Sequence, residues 1–156
     1  MEMTKEIKKM KLEIELVPSS SWENNLRNIV PKTKWDQIRR ETYAKFDNKC
    51  GICNADGKMS CHEIWEYDDD KHIQKLKGFI ALCFSCHIIK HIGMAGILAQ
   101  NGKLDYRRLI EHYIKVNGCD LSDFEIHMNS AFVKWKKRSK YNWQLVLSLF
   151  EYYPSK

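Results

Sequence analysis

Residues 50–91 read CGICNADGKMSCHEIWEYDDDKHIQKLKGFIALCFSCHIIKH and contain five of the six cysteines of the chain. Two Cys-x2-Cys pairs, Cys50/Cys53 and Cys83/Cys86, lie at the two ends of this stretch. Each pair can direct two thiolates to one ion from a tight turn, and two pairs supply the four sulfur ligands of a tetrahedral zinc site. Two disulfides or four unrelated core cysteines are the alternatives, but the repeated spacing favours a metal site. The sequence therefore predicts a structural zinc on the four cysteines.

The composition is that of one globular domain over residues 1–156. Hydrophobic residues make up 44% of the chain, which includes five Trp and seven Tyr, and such a composition excludes wholesale disorder. No apolar run approaches the roughly 20 residues of a membrane span, and the lysine-rich start lacks the apolar segment of a signal peptide. We therefore expect a cytoplasmic protein without a membrane partner, whose cysteines are reduced metal ligands rather than disulfides.

Charge is distributed unevenly along the chain, although the net charge is +6. Residues 61–70 contain five acidic residues and neither Lys nor Arg, which suits a neighbouring divalent cation and not a polyanion. Basic residues gather near the C-terminus, at Lys134, Lys136, Lys137, Arg138 and Lys140. A local basic surface suits nucleic acid, so these residues are the predicted contacts to a DNA backbone.

The residue pattern before the cysteine stretch predicts one strand and one helix. Residues 1–9 are expected to be flexible, because they are rich in Lys and Glu. Apolar and charged residues alternate over 10–16, which indicates a half-buried strand. Thr33 is the predicted N-cap of a helix that ends near Phe46.

Between the cysteine pairs, the pattern predicts two short strands, over 59–67 and 72–77, joined by an acidic tip at 68–71. Gly78 is expected to interrupt the second strand. A helix should start within the second cysteine pair. Residues 47–94 are therefore predicted to form a zinc-clamped core in the order strand, strand, helix, within an α+β fold.

The region from 105 to 140 is predicted to be helical. Asp105 is the expected cap of one helix, which Gly118 ends, and a capping box at 122–125 opens a second helix. Apolar residues then alternate over 143–150, which predicts a closing strand. This strand could pair with the N-terminal strand and so join the two ends of the chain.

Three histidines of the core form a candidate catalytic group. His62 lies on the first predicted strand, while His87 and His91 are four residues apart and so share one face of the predicted helix. A histidine that faces a bound cation can activate water as a general base, and the cation stabilises the charge that develops on a phosphoryl oxygen. This arrangement suits phosphodiester hydrolysis.

Residues 50–91 resemble the HNH (ββα-metal) nuclease motif in its zinc-ribbon form. The shared features are two Cys-x2-Cys pairs, a first-strand histidine, and Cys86-His87-x2-Lys90 at the helix. A group of small bacterial and phage HNH-like proteins is similar over nearly the whole chain, in H-E-x-W-x-Y-D at 62–68, GFIALC at 78–83 and R-S-K-Y-x-W at 138–143. The resemblance implies a ββα-metal core held by a four-cysteine zinc site, with flanking helices.

The resemblance also implies roles for the histidines in a metal-dependent DNA endonuclease. His62 matches the general base, His87 the metal-binding histidine of the helix, and His91 a possible second ligand of a divalent ion such as Mg, Mn, Ni or Zn.

Two positions depart from the motif. Cys61 stands where an Asp or His normally binds the catalytic metal, and a thiolate prefers zinc to magnesium. Gly78 stands where the motif normally has its middle Asn.

Other interpretations stay open at the level of sequence. His62 could be a strand histidine bonded to backbone, Cys61 a small buried residue, and the two helix histidines an outer shell of the zinc. The chain could then be a catalytically inactive HNH-like module that binds a protein or nucleic acid, for example a phage- or host-encoded inhibitor with an acidic hairpin. A zinc-ribbon DNA-binding regulator is less favoured, because no basic recognition helix follows the cysteine pairs.

Overall fold

The computed structural model describes residues 9–23 and 25–147, and these residues form an α+β fold, as predicted. The prediction that residues 1–9 are flexible concerns residues that, apart from residue 9, lie outside this part of the chain. Within these described residues, a 3-10 turn over Ser19–Ser21 precedes six helices and three strands. In chain order they are α1 Leu26–Ile29, α2 Lys32–Lys45, β1 Ser60–Asp68, β2 Ile73–Leu82, α3 Phe84–Lys90, α4 Ile92–Gln100, α5 Tyr106–Asn117, α6 Leu121–Arg138 and β3 Gln144–Val146.

Strands β1 and β2 form an antiparallel hairpin directly before α3, so the predicted order of strand, strand and helix is observed. The pairing register shifts between Ile64 and Trp65, opposite Gly78. Gly78 has a φ of 153°, which L side chains rarely adopt, and a glycine accommodates this irregularity without strain. The strand therefore continues through Gly78, and the predicted interruption is wrong.

Strand β3 lies at the edge of the sheet and pairs in parallel with β2, in the register Gln74 to Leu145. The predicted closing strand over 143–150 is thus present in part, since residues 148–150 lie outside the described part of the chain. Its expected partner is wrong, because β3 joins the hairpin and not the N-terminal segment.

The N-terminal segment is buried as the alternation predicted, but it is not a strand. Leu12 and Ile14 lie in the main apolar core. The backbone of Leu12 exchanges two hydrogen bonds with the side chain of Asn117, and the Ile14 N–H donates to His127 Nε2 at 3.1 Å. Side chains of α5 and α6 therefore satisfy the backbone groups that a neighbouring strand would otherwise bind.

Helix ends follow local capping chemistry. The Asp105 side chain accepts hydrogen bonds from two N–H groups of α5, and Gly118 ends that helix with a φ of 59°, as predicted. Helix α6 opens with a capping box between Asp120 and Asp123, two residues before the predicted one. Helix α2 follows Pro31, and the predicted cap Thr33 lies inside its first turn.

Two apolar clusters lie on the hairpin and hold the helices to it. The larger one joins the N-terminal segment, the end of β2, α3, α5 and α6. The smaller one packs α1 and α2 against β2 through Leu26, Trp35, Ile38 and Leu76. No helix in the described ranges combines the length and the apolar character that crossing a membrane requires.

Candidate metal centres

The four cysteines of the two pairs converge on one point. Their sulfur atoms all lie within 4.8 Å of one another, and the Sγ atoms of Cys53 and Cys83 are 3.6 Å apart. A tetrahedral ion with Zn–S bonds of about 2.3 Å separates its sulfur ligands by about 3.8 Å. The cluster can therefore hold a metal ion, as the sequence predicted, and its geometry and ligand type suit zinc.

A tight turn directs the first pair into the cluster. The Cys50 N–H donates to the carbonyl of Ala55, and Asn54 has a left-handed φ of 64°. Gly51 anchors this turn to β2 by donating its N–H to the Ala81 carbonyl at 2.8 Å. A Cβ at Gly51 would lie 2.7 Å from the side chain of Ile80, so this close approach requires glycine.

The second pair lies at the start of α3, where the charge distribution favours a thiolate. Cys83 is the N-cap, and its sulfur accepts the Cys86 N–H at 3.5 Å. A hydrogen bond from the Cys86 thiol lowers the pKa of Cys83 to about 4, against the effect of burial. The same hydrogen bond, together with burial, raises the pKa of Cys86. The hydrogen bond therefore favours the thiolate form of Cys83, and a cation would promote ionisation of the other cysteines.

His112 approaches this cluster from α5, which the sequence did not predict. Its Nε2 lies 3.2 Å from the Cys86 sulfur, 26 residues away in the chain. When Cys86 is a metal-bound thiolate, an N–H at this position donates to the sulfur and reduces its charge. Nothing in the spacing of His112 indicates this role, because the contact depends on how α5 packs against α3.

The second cluster consists of three histidines. The structure brings together His62 from β1, His87 from α3 and His91 from the C-cap of α3, with ligand atoms within 4.8 Å of one another. Ring centroids are 5.5 Å apart for His62 and His87, 5.3 Å for His62 and His91, and 4.9 Å for the helix pair. The three rings therefore face a common point beside the cysteine cluster, since His87 directly follows Cys86.

The electrostatics of this cluster favour neutral rings with available lone pairs. Burial, with a smaller electrostatic contribution from the neighbouring His62, lowers the pKa of His87 to about 4 and that of His91 to about 3. Metals bind the neutral imidazole, so both rings are in the binding form at neutral pH. His62 is only 6% exposed, and its Nε2 has no hydrogen-bond partner in the described part of the chain.

An ion pair between the buried Lys90 and the half-buried Glu15 lies beside His62. Glu15 Oε1 accepts a hydrogen bond from Lys90 Nζ at 3.0 Å, and Glu15 Oε2 lies 3.8 Å from His62 Nε2. Burial raises the pKa of Glu15, but His62 and Lys90 outweigh that effect and bring the pKa down to about 2. No sequence signal indicates this contact, because Glu15 occupies a polar position of an alternating segment.

Cys61 is not brought to the histidine cluster. Successive side chains of a strand point to opposite faces, and Cys61 packs beside the smaller apolar cluster, with its sulfur 3.7 Å from Thr42 Oγ1. Burial raises the pKa of this thiol, which favours its neutral form. The geometry therefore gives no support to the prediction that Cys61 binds a catalytic metal, and it favours the alternative of a small buried residue.

The predicted basic surface is only partly exposed. Lys134, Lys136, Lys137 and Lys140 are exposed to solvent. Arg138 instead makes two hydrogen bonds to Asp69, at 2.8 and 3.0 Å, and lies over the Tyr67 ring. The acidic tip and the basic end of α6 thus contact each other, and the lysines are the cations that face solvent.

Comparisons of the chain with family models, with curated proteins and with solved structures give no match. The resemblance to HNH nucleases therefore depends on the motif residues quoted above, and what the structure itself provides is two adjacent side-chain clusters, each suited to one metal ion.

Proposed function

We propose that the chain is a metal-dependent HNH-type endonuclease that hydrolyses DNA phosphodiester bonds. The observation that carries this proposal is the second cluster. Four cysteines suffice for a structural zinc, whereas three imidazoles from a strand and a helix, one buried and two half-buried, also lie within 4.8 Å of one another. A ligand set that leaves positions open for water or substrate is typical of catalytic ions, and a closed four-cysteine set is typical of structural ones.

The residues divide into four roles. The cysteines would hold a structural zinc that fixes the start of α3 against the turn at Cys50. His87 and His91 would hold a divalent ion, which supplies Lewis-acid stabilisation of a phosphoryl oxygen when bound. His62 would accept the proton of the attacking water. The exposed lysines of α6 would contact the DNA backbone, and DNA binding should then weaken as salt is added.

Plasmid nicking with added Mg, Mn, Ni or Zn tests this proposal. The His62→Ala variant should cut at least about 100-fold more slowly than the unmodified protein, because the general base is lost. His72→Ala is the matched control, since the His72 ring stacks on Tyr141 at 4.1 Å and belongs to neither cluster. Equal cutting by the unmodified protein and His62→Ala would remove His62 from the mechanism.

A catalytically inactive module that binds a protein or nucleic acid is the second candidate. Its support is the burial of His62, which leaves 6% of that residue exposed, whereas a general base needs contact with water. Metal content separates the two candidates. One tightly held zinc per chain, with no second ion on His87 and His91, would favour the inactive module, and two ions would favour the nuclease.

A further inference from the structure

We propose that Glu15 is a positioning residue for His62, so that a carboxylate from the N-terminal segment completes the histidine site. This inference rests on the proposed function for its catalytic consequence, but not for the contact itself. The N-terminal segment lies outside residues 50–91. It would thus contribute to the site and not only to the core.

The geometry around His62 carries the proposal. His62 as a residue is 6% exposed, and its Nε2 lacks a hydrogen-bond partner in the described ranges. Glu15 Oε2 lies 3.8 Å from this nitrogen. This distance is longer than a hydrogen bond, and hydrogen bonds of catalytic groups are often long before substrate is bound. A buried ring nitrogen that faces a carboxylate is most stable when it carries the proton and donates it.

Lys90 binds the other oxygen of the same carboxylate. Its Nζ donates to Glu15 Oε1 at 3.0 Å, and Lys90 is itself only 6% exposed. One oxygen of Glu15 is therefore fixed by the lysine while the other faces His62. The Glu15 carboxylate also neutralises the buried Lys90, because a charge in a low-dielectric environment needs an opposite charge beside it.

The consequence is a fixed tautomer of His62. With the proton on Nε2 and directed to Glu15, the other nitrogen, Nδ1, keeps its lone pair. That lone pair is the one able to accept a proton from water. A carboxylate that orients an imidazole in this way is a general device for preparing a histidine base or ligand.

Three variants separate this role from simple neutralisation of Lys90. In Glu15→Gln the carboxylate charge is lost, but Lys90 is left buried without its partner. In the double variant Glu15→Gln/Lys90→Met both charges are removed together. Lys90→Met alone keeps Glu15 and serves as the matched control.

The first measurement is the tautomer of His62 in zinc-loaded protein at pH 8, read from imidazole nitrogen-15 chemical shifts. We expect the Nε2–H tautomer in the unmodified protein and in Lys90→Met, and a mixture with the Nδ1–H tautomer in the other two variants. The proposal is overturned if the double variant keeps the Nε2–H tautomer, or if the unmodified protein shows the Nδ1–H tautomer.

The second measurement is the rate of DNA nicking. Loss of a partner that orients a site histidine costs about 10–100-fold, and the loss should appear in kcat with little change in KM. The double variant should stay as slow as Glu15→Gln, whereas recovery would mean that Glu15 only neutralises Lys90. If the tautomer depends on Glu15 but the unmodified protein cuts no DNA with any metal, the nuclease proposal fails and the contact of Glu15 with His62 stands.

Discussion

Removal of one cysteine from the first pair should unfold the protein at a measurably lower temperature. Cys53→Ala is the most informative change, because this residue is only half-buried and its loss leaves no large cavity. Its sulfur lies 3.6 Å from that of Cys83, and the two residues are 30 positions apart. An ion that joins them therefore closes a loop of about that length, which spans the whole β1–β2 hairpin.

The size of the effect follows from the loop that the ion closes. Chain-entropy arguments for a cross-link over roughly 30 residues give about 3.5 kcal/mol of free energy of unfolding. For a domain of this size, each kcal/mol changes Tm by about 2–4 °C, so Cys53→Ala should lower Tm by about 7–14 °C. The assay is thermal unfolding followed by circular dichroism, with bound zinc measured on the same samples.

Cys119→Ala is the matched control, since Cys119 is also half-buried but lies outside the cluster. Its Tm should stay within about 3 °C of the unmodified protein. The reasoning is refuted if Cys53→Ala loses its zinc and yet melts within about 2 °C of the unmodified protein. It is equally refuted if the unmodified protein binds no metal after purification in zinc-containing buffer.

Two further predictions concern acid stability and the N-terminal segment. Protein without an ion on the histidine cluster should lose stability as the pH falls below 6.5. In the folded chain the pKa values of His87 and His91 are near 4 and 3, so the rings stay neutral there while those of the unfolded chain bind protons. The unfolded state is therefore favoured as the pH falls. Urea unfolding at pH 7, 6 and 5 checks this, and His91→Gln should reduce the slope, whereas equal slopes would contradict the argument. Leu12→Ala should cost about 2–5 kcal/mol in urea unfolding, because Leu12 is fully buried. Leu121→Ala, at a residue 51% exposed, should change the stability by less than about 1 kcal/mol, and similar losses in both would mean that the N-terminal segment is not part of the core.

The sequence determined the features that depend on short-range spacing. The two Cys-x2-Cys pairs converge because each spacing itself forms a turn or the start of a helix, and the four-cysteine cluster follows when the hairpin closes. Caps at Asp105 and Gly118 act within one turn of α5, so they too were predicted. His87 and His91 come together for the same local reason, and His62 reaches them through the hairpin that the strand pattern indicated.

Only the tertiary structure decided which elements become neighbours. The alternation over 10–16 indicates which side chains are buried. It cannot show whether a strand or the side chains of two helices form hydrogen bonds with the backbone of this segment. In the structure, Asn117 and His127 form them. The contact of His112 with Cys86 and that of Glu15 with His62 join residues far apart in the chain. Such contacts depend on the packing of whole helices and segments, which residue spacing along one chain does not encode.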